Sequence, residues 1–321
     1  MPSGFDFEFA VNAPFRMQPG LRRAAADARR LTPSTVAPAP GDALAEKLDT
    51  LAAHADRALL CRPDFDPRPA LERLSAEIAR DHPDAWRVDR DGRVTAVHLG
   101  WTLEDGRLLP RADAVPEVGQ VIEALPPAWR LPALLGLAFE EDLAIVDGRD
   151  ATVPWMAVCL PSFWAPETKA GRHFVEIHLP VPDADLLRAA GARLMKLACG
   201  PERWERFVWT LTPHRRLRAH PAVDPRPPWP AGADPDAFAR AAHLRTERQA
   251  FIPMPDIGQA VFTIHVRRAP LAEAIVDADR ARRLRDALAT MSDAVLEYRG
   301  LTDARAPLLA WLARRAQACP G

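Results

Sequence analysis

Apolar positions along the chain fall into two rhythms. A three-to-four residue spacing of Leu44, Leu48, Leu51, Leu59 and Leu60 predicts a helix over 41–61. Leu71, Leu74 and Ile78 predict another from Pro69 to about Arg80. Alternating segments flank Asp91-Gly92, a strong hairpin signal. Helices are expected near 116–125 and 131–139. A second hairpin joins Leu143–Val146 to Val153–Leu160 through Asp147-Gly148. Residues 174–178 read as a short strand or a helix start, 183–197 as a helix, and Phe207–Leu211 as a strand. Segments 244–251 and 260–266 read as paired strands joined by a proline-containing turn, with helices over 271–291 and 302–317.

The first 40 residues are broken by prolines at 2, 14, 19, 33, 38 and 40, which exclude long helices. Phe5, Phe7, Phe9, Phe15 and Met17 are nevertheless too apolar for a free tail. Hairpins and helices without regular alternation predict an α+β fold rather than a doubly wound sheet. The expected division is an N-terminal arm with helices (1–80), an α+β core (81–270) and C-terminal helices (271–321).

Composition narrows the function. The 42 basic and 43 acidic residues nearly cancel, which argues against a nucleic-acid or polybasic membrane partner. No run of about 18 apolar residues occurs and no secretory leader is visible, so a cytoplasmic protein is expected. Cys61, Cys159, Cys199 and Cys319 lie far apart and form no CxxC, against a local zinc or iron–sulfur site. Neither a GxGxxG nor a GxxxxGK[ST] motif occurs, so nothing points to a dinucleotide site or a P-loop. The 33 prolines are about twice the usual ~5%, and only Lys47, Lys169 and Lys196 of the basic residues are lysine; both read as coding bias.

Three segments carry candidate chemistry. His178 sits between Ile177 and Leu179 and ahead of Pro180 and Pro182, a stiff apolar setting that suits a metal or heme-iron ligand. A core histidine bonded to a backbone carbonyl is the ordinary alternative. His54, His82 and His98 have no partner pattern. His214, Arg216 and His220 lie in an arginine-rich loop that could clamp carboxylates or simply be solvated. In the strand at 244–249, Arg245, Glu247 and Gln249 share one face and Thr246 and Arg248 the other. Such a strand is either a charged sheet edge or a pocket wall whose carboxylate needs a cationic partner.

Taken in order, four blocks resemble the heme-dependent oxidative N-demethylases, alpha subunit and relatives. They are Pro14–Arg22, Pro161–Gly171 with its Trp164-x-Pro166-x-x-Lys169-x-Gly171, Ile177-His178-Leu179-Pro180-Val181-Pro182, and Leu244–Gln249 running into Phe262-Thr263-Ile264. The resemblance implies a PAS-like antiparallel sheet with flanking helices around a heme pocket. It implies heme b, molecular oxygen and a small secondary or tertiary methylamine that loses formaldehyde. It also implies reductase subunits supplying electrons from a flavin and an iron–sulfur centre; a homo-oligomer is compatible with it. His178 is carried over as axial heme ligand, and Glu247 as amine contact with Arg245 and Gln249 as neighbours. Lys169, Arg248, His214 and Arg216 are expected toward the cofactor. Asp256 replaces a basic residue of the family pattern, and His265 also departs from it, which leaves substrate identity open. A non-catalytic heme or small-ligand sensor on the same fold is the rival expectation.

Overall fold

The computed structural model describes residues 4–183, 185–232 and 234–317, without the side chains of 186 and 187. Among the described residues eleven strands form two antiparallel sheets: β1 (Arg22–Arg23), β2 (Leu59–Cys61), β3 (Trp86–Val88), β4 (Val94–Ala96), β5 (Trp101–Glu104), β6 (Arg107–Pro110), β7 (Asp142–Asp147), β8 (Thr152–Ala157), β9 (Trp204–Thr212), β10 (His243–Met254) and β11 (Gln259–Pro270). The large sheet runs β1-β9-β10-β11-β7-β8-β2, and β3 to β6 form a separate meander. The fold is α+β. Among the described residues no helix is long and apolar enough to cross a membrane.

The hairpins arise where the chain supplies turn residues. Asp91-Gly92 lies between β3 and β4. A second Asp-Gly pair, Asp105 (φ 47°) and Gly106 (φ 74°), closes β5 onto β6 through two left-handed residues. That hairpin lies beyond the sequence expectations, although its turn signal is as plain as the first. β10 and β11 outrun the expected bounds, pairing from His243↔Pro270 to Met254↔Gln259. Pro253 does not end β10, because pairing with β9 stops at Phe251↔Trp204 and the proline lies on a stretch bonded on one side only.

Helices account for most of the remaining differences. The first expected helix is Ala43–Ala58, capped by Asp42, and its last three expected residues become β2. A helix spans Pro127–Ala138 with Pro132 inside it. The expected helix over 183–197 is split into Asp185–Ala189 and Gly191–Ala198. The stretch 271–291 holds Leu271–Ala274 and Ala278–Ala289, and 302–317 holds Arg305–Gln317. Between them Asp293–Arg299 forms a further helix, ended by Gly300 at φ 64°.

One face of the large sheet is packed with the helices 43–58, 68–81 and 127–138, through Leu44, Leu74, Leu134 and Trp155. A second core joins Trp209, Leu211 and Leu244 to the C-terminal helices and to Phe7 of the N-terminal arm. Lys47 stitches the first core. It is 1% exposed, donates to the carbonyls of Gly136 (2.9 Å), Phe139 (3.1 Å) and Glu141 (2.6 Å), and stands 3.5 Å from Asp142. Two of those carbonyls end the helix 127–138, where a cation is favoured. Lys47→Met is expected to destabilise the protein by about 3–5 kcal/mol, because Asp142 keeps its burial and loses its partner. Urea denaturation of the variant measures it; a loss below 1 kcal/mol would contradict the assignment.

Candidate functional site

The opposite face of the large sheet floors a cavity of about 290 Å³. Period-two alternation decides its floor: Arg206, Val208 and Thr210 come from β9, and Arg245, Glu247 and Gln249 from β10. The register sets Glu247 opposite Val208 and Gln249 opposite Arg206. The roof comes from 162–181 and the helix 191–198, which contribute Phe163, Trp164, Phe174, His178 and Met195. The remaining wall is Arg226, from the proline-rich segment 220–235, with Tyr298 and Arg299 of the helix 293–299.

His178 follows the single-turn helix Phe174–Ile177. Its Nδ1 lies 2.7 Å from the Phe174 carbonyl, and the two rings pack at a tilt of 40° with centroids 4.2 Å apart. A carbonyl only accepts, so Nδ1 carries the proton and Nε2 keeps the lone pair. That is the arrangement in which imidazole serves as a metal ligand, its other nitrogen fixed by an outer partner. Burial pushes the His178 pKa from 6.5 down to about 4; the Phe174 bond opposes the shift, and Lys169 and Arg206 add to it. The ring is therefore neutral and able to ligate at physiological pH.

A stability consequence follows with a definite sign. Between pH 6.5 and about 4 the unfolded chain binds a proton at His178 that the fold does not. Stability of the heme-free protein is expected to fall as pH drops through that window and to level off below it. His178→Phe is expected to flatten that part of the denaturation profile; an unchanged slope would refute the depressed pKa.

Glu247 is 7% exposed and accepts from Gln249 Nε2 at 2.6 Å. Arg206 is the charge it bears on from β9. The expected sharing of one strand face by Arg245, Glu247 and Gln249 holds, yet Arg245 has a different use. Its Nε donates to Ser162 Oγ (2.8 Å), and its terminal nitrogens donate to the carbonyls of Arg216, Leu160, Pro161 and Leu217. It lines the cavity beside Glu247 as a neighbour, and its bonds tie two loops to the sheet, so it acts as a clamp. Lys169 lines the cavity, lies 5.6 Å from the Trp164 ring centre and donates to Ile177 O at 3.1 Å, bracing the residue before His178.

Arg248, His214 and Arg216 stand outside the cavity lining. Arg248 faces away from Glu247 by strand alternation and pairs with Glu205 at 2.9 Å. His214 is buried with Nδ1 3.2 Å from the backbone of Arg216. Arg216 pairs with Asp49 (3.2 Å) and Asp224 (3.5 Å). Buried Glu46 accepts from the amides of Leu217 and Arg218, which makes this loop an internal joint rather than a solvated or ligand-clamping one. Asp256 pairs with exposed Arg73 at 2.8 Å, away from the cavity. His265 lies on the other sheet face, 2.8 Å from Glu140. Cys61, Cys159 and Cys199 are free; burial pushes the Cys199 thiol up to about 12, so it stays protonated. Cys319 lies outside the described residues.

Among the cavity residues that escaped sequence reasoning, Arg206, Arg226 and Tyr298 bear on the chemistry. Arg206 fell one place before the expected strand, although it shares a period of two with Val208 and Thr210. Arg226 sits in what read as a connection. Tyr298, the single tyrosine of the chain, lies in a stretch expected only as interhelical linker. Phe163, against which Arg226 rests at 4.2 Å, adopts φ 62°, a left-handed backbone that costs of order 1–3 kcal/mol and is held by a bond from its amide to Ala219 O at 2.8 Å.

The residues fit a heme. His178 offers one neutral nitrogen, Phe174, Met195 and Phe262 offer apolar walls, and Arg206 and Arg226 each keep a buried Nε with no hydrogen-bond partner, ready for carboxylates. The family model described as "Haem-dependent oxidative N-demethylase, alpha subunit-like" matches residues 41–309, which contain every cavity residue named here. The chain belongs to that family.

Proposed function

We propose that this chain binds heme b through His178 and carries out the oxidative N-demethylation of a small methylated amine. The carrying observation is that one cavity is lined by a neutral histidine with its Nε2 lone pair free and by a buried carboxylate, Glu247. When bound, the heme would supply the redox centre at which dioxygen is activated. In the overall reaction one oxygen atom ends in formaldehyde and the other in water. Two electrons and two protons are consumed, and the N–C bond of the oxidised methyl group breaks.

The chain's own residues do the positioning. Glu247 receives the substrate ammonium, and Gln249 holds that carboxylate in place from the same strand face. Fixing the amine in this way supplies part of the barrier reduction through orientation. Phe174, Phe251 and Phe262 keep water from the reacting methyl group. Lys169 and the Phe174 carbonyl hold the segment that presents His178. The antiparallel sheet with a cavity on one face supports the PAS-like reading as part of the same proposal. The electrons come from reductase subunits bearing a flavin and an iron–sulfur centre, a partnership in keeping with the family description.

Reconstitution with hemin tests the reading. One equivalent is expected to give a Soret band that shifts on reduction and on carbon monoxide addition. With a chemical reductant, oxygen and a methylated amine, formaldehyde is expected. Absence of stoichiometric heme overturns the proposal; heme binding without formaldehyde from any methylated amine favours a sensor.

A further inference from the structure

The cavity holds more positive charge than a heme and an amine account for. Lys169, Arg206, Arg226, Arg245 and Arg299 line it, against the one carboxylate of Glu247 among the described lining residues. Arg245 and Arg299 are bonded to backbone carbonyls, and Lys169 to Ile177 O. Arg206 and Arg226 retain the unpartnered Nε groups.

These two arginines reach the cavity from different segments of the chain. Arg206 projects from β9 beside Gln249, and together with Lys169 it is the positive charge acting on His178. Arg226 lies across the Phe163 ring and against Gly300, where an added Cβ would come 1.8 Å from its guanidinium. The connection that carries it is pinned by Trp229 Nε1 donating to Gly300 O at 2.8 Å. Tyr298 stands within the fields of both Arg226 and Glu247. A heme whose propionates met Lys169 and Arg206 would leave Arg226 without a counter-charge in the cavity it shares with Glu247. A plain alkylammonium does nothing for that guanidinium. A ligand that brings its own carboxylate pairs it in the bidentate geometry that arginine favours.

We propose that the substrate is a zwitterionic N-methyl amino acid rather than a simple methylamine, its ammonium held by Glu247 and its carboxylate by Arg226. The inference rests on the demethylase reading for its chemistry but on this chain's own residues for its binding.

Isothermal titration of the full chain, before and after hemin loading, tests it with N,N-dimethylglycine and dimethylamine as probes. Dimethylglycine is expected to bind at least about tenfold more tightly than dimethylamine, from a desolvated charge pair. Arg226→Met is expected to bring the ratio to about one, and Gly300→Ala to reduce it by crowding the guanidinium while the charge is kept. Equal or tighter binding of dimethylamine overturns the proposal. So does an Arg226→Met variant that loses heme while keeping the ratio, since Arg226 would then be a propionate partner. A protein that takes no heme yet prefers dimethylglycine loses the demethylase reading and keeps the carboxylate subsite.

Discussion

His178→Ala is expected to abolish stoichiometric heme binding, with the Soret band lost or shifted to that of non-specifically bound hemin. The expected loss of affinity exceeds the 10–100-fold that removal of an outer partner of a metal ligand costs, since here the ligand itself goes. The site gives a reason for the size of the effect. The imidazole has its Nδ1 proton committed to Phe174 O and its ring packed at a tilt against Phe174, so Nε2 is pre-oriented before any iron arrives. Alanine removes donor and ring contact together. The side chain is only partly covered and its helix is a single turn, so the fold should survive, and circular dichroism alongside hemin titration separates the two outcomes. Tight heme binding by the alanine variant would move the ligand elsewhere.

Glu247→Gln is expected to leave heme bound and to weaken the amine by about 2 kcal/mol or more, roughly 30-fold. The isosteric amide keeps the shape of the floor and the contact with Gln249 while removing the charge proposed to pair with the ammonium. It also leaves Arg206 without its carboxylate neighbour, so the heme-free variant is expected to lose stability that heme restores. Amine-induced changes in the heme spectrum, followed by titration, provide the measurement. Amine affinity equal to that of the parent protein would remove Glu247 from substrate binding.

Legibility along the chain tracks how local the determining interaction is. The face shared by Glu247 and Gln249 follows from strand alternation, which depends on nothing beyond the strand. The left-handed turn at Asp105-Gly106 was equally local and was passed over because β5 and β6 are four residues each. The stop of β2 at the end of the first helix was not local. Leu59–Cys61 extends because it pairs with Trp155–Ala157, nearly 100 residues away. The arginine-rich loop at 214–218 illustrates the same limit. Its charges look available until Glu46, Asp49 and Asp224 arrive from other parts of the chain.

Lysine scarcity acquires a structural meaning at two of its three positions. Lys169 lines the cavity and Lys47 is sealed in the core, each donating to backbone carbonyls. A compact ammonium with three donors satisfies convergent carbonyls that a planar guanidinium would meet in a different geometry.

By itself the amino-acid sequence determined the α+β class, the family, and the candidacy of His178 and Glu247, because periodicity, turn chemistry and ordered motifs are properties of short segments. Tertiary structure alone decided that His178, Lys169 and Glu247 line one cavity, that Arg245 is a clamp, and that Arg248, His214 and Arg216 have partners elsewhere. It also brought Arg206, Arg226 and Tyr298 to the site. A charge becomes available or spent only when the sheet register and the long connections fix what stands within hydrogen-bonding distance of it, and that is set by contacts between residues far apart in the chain.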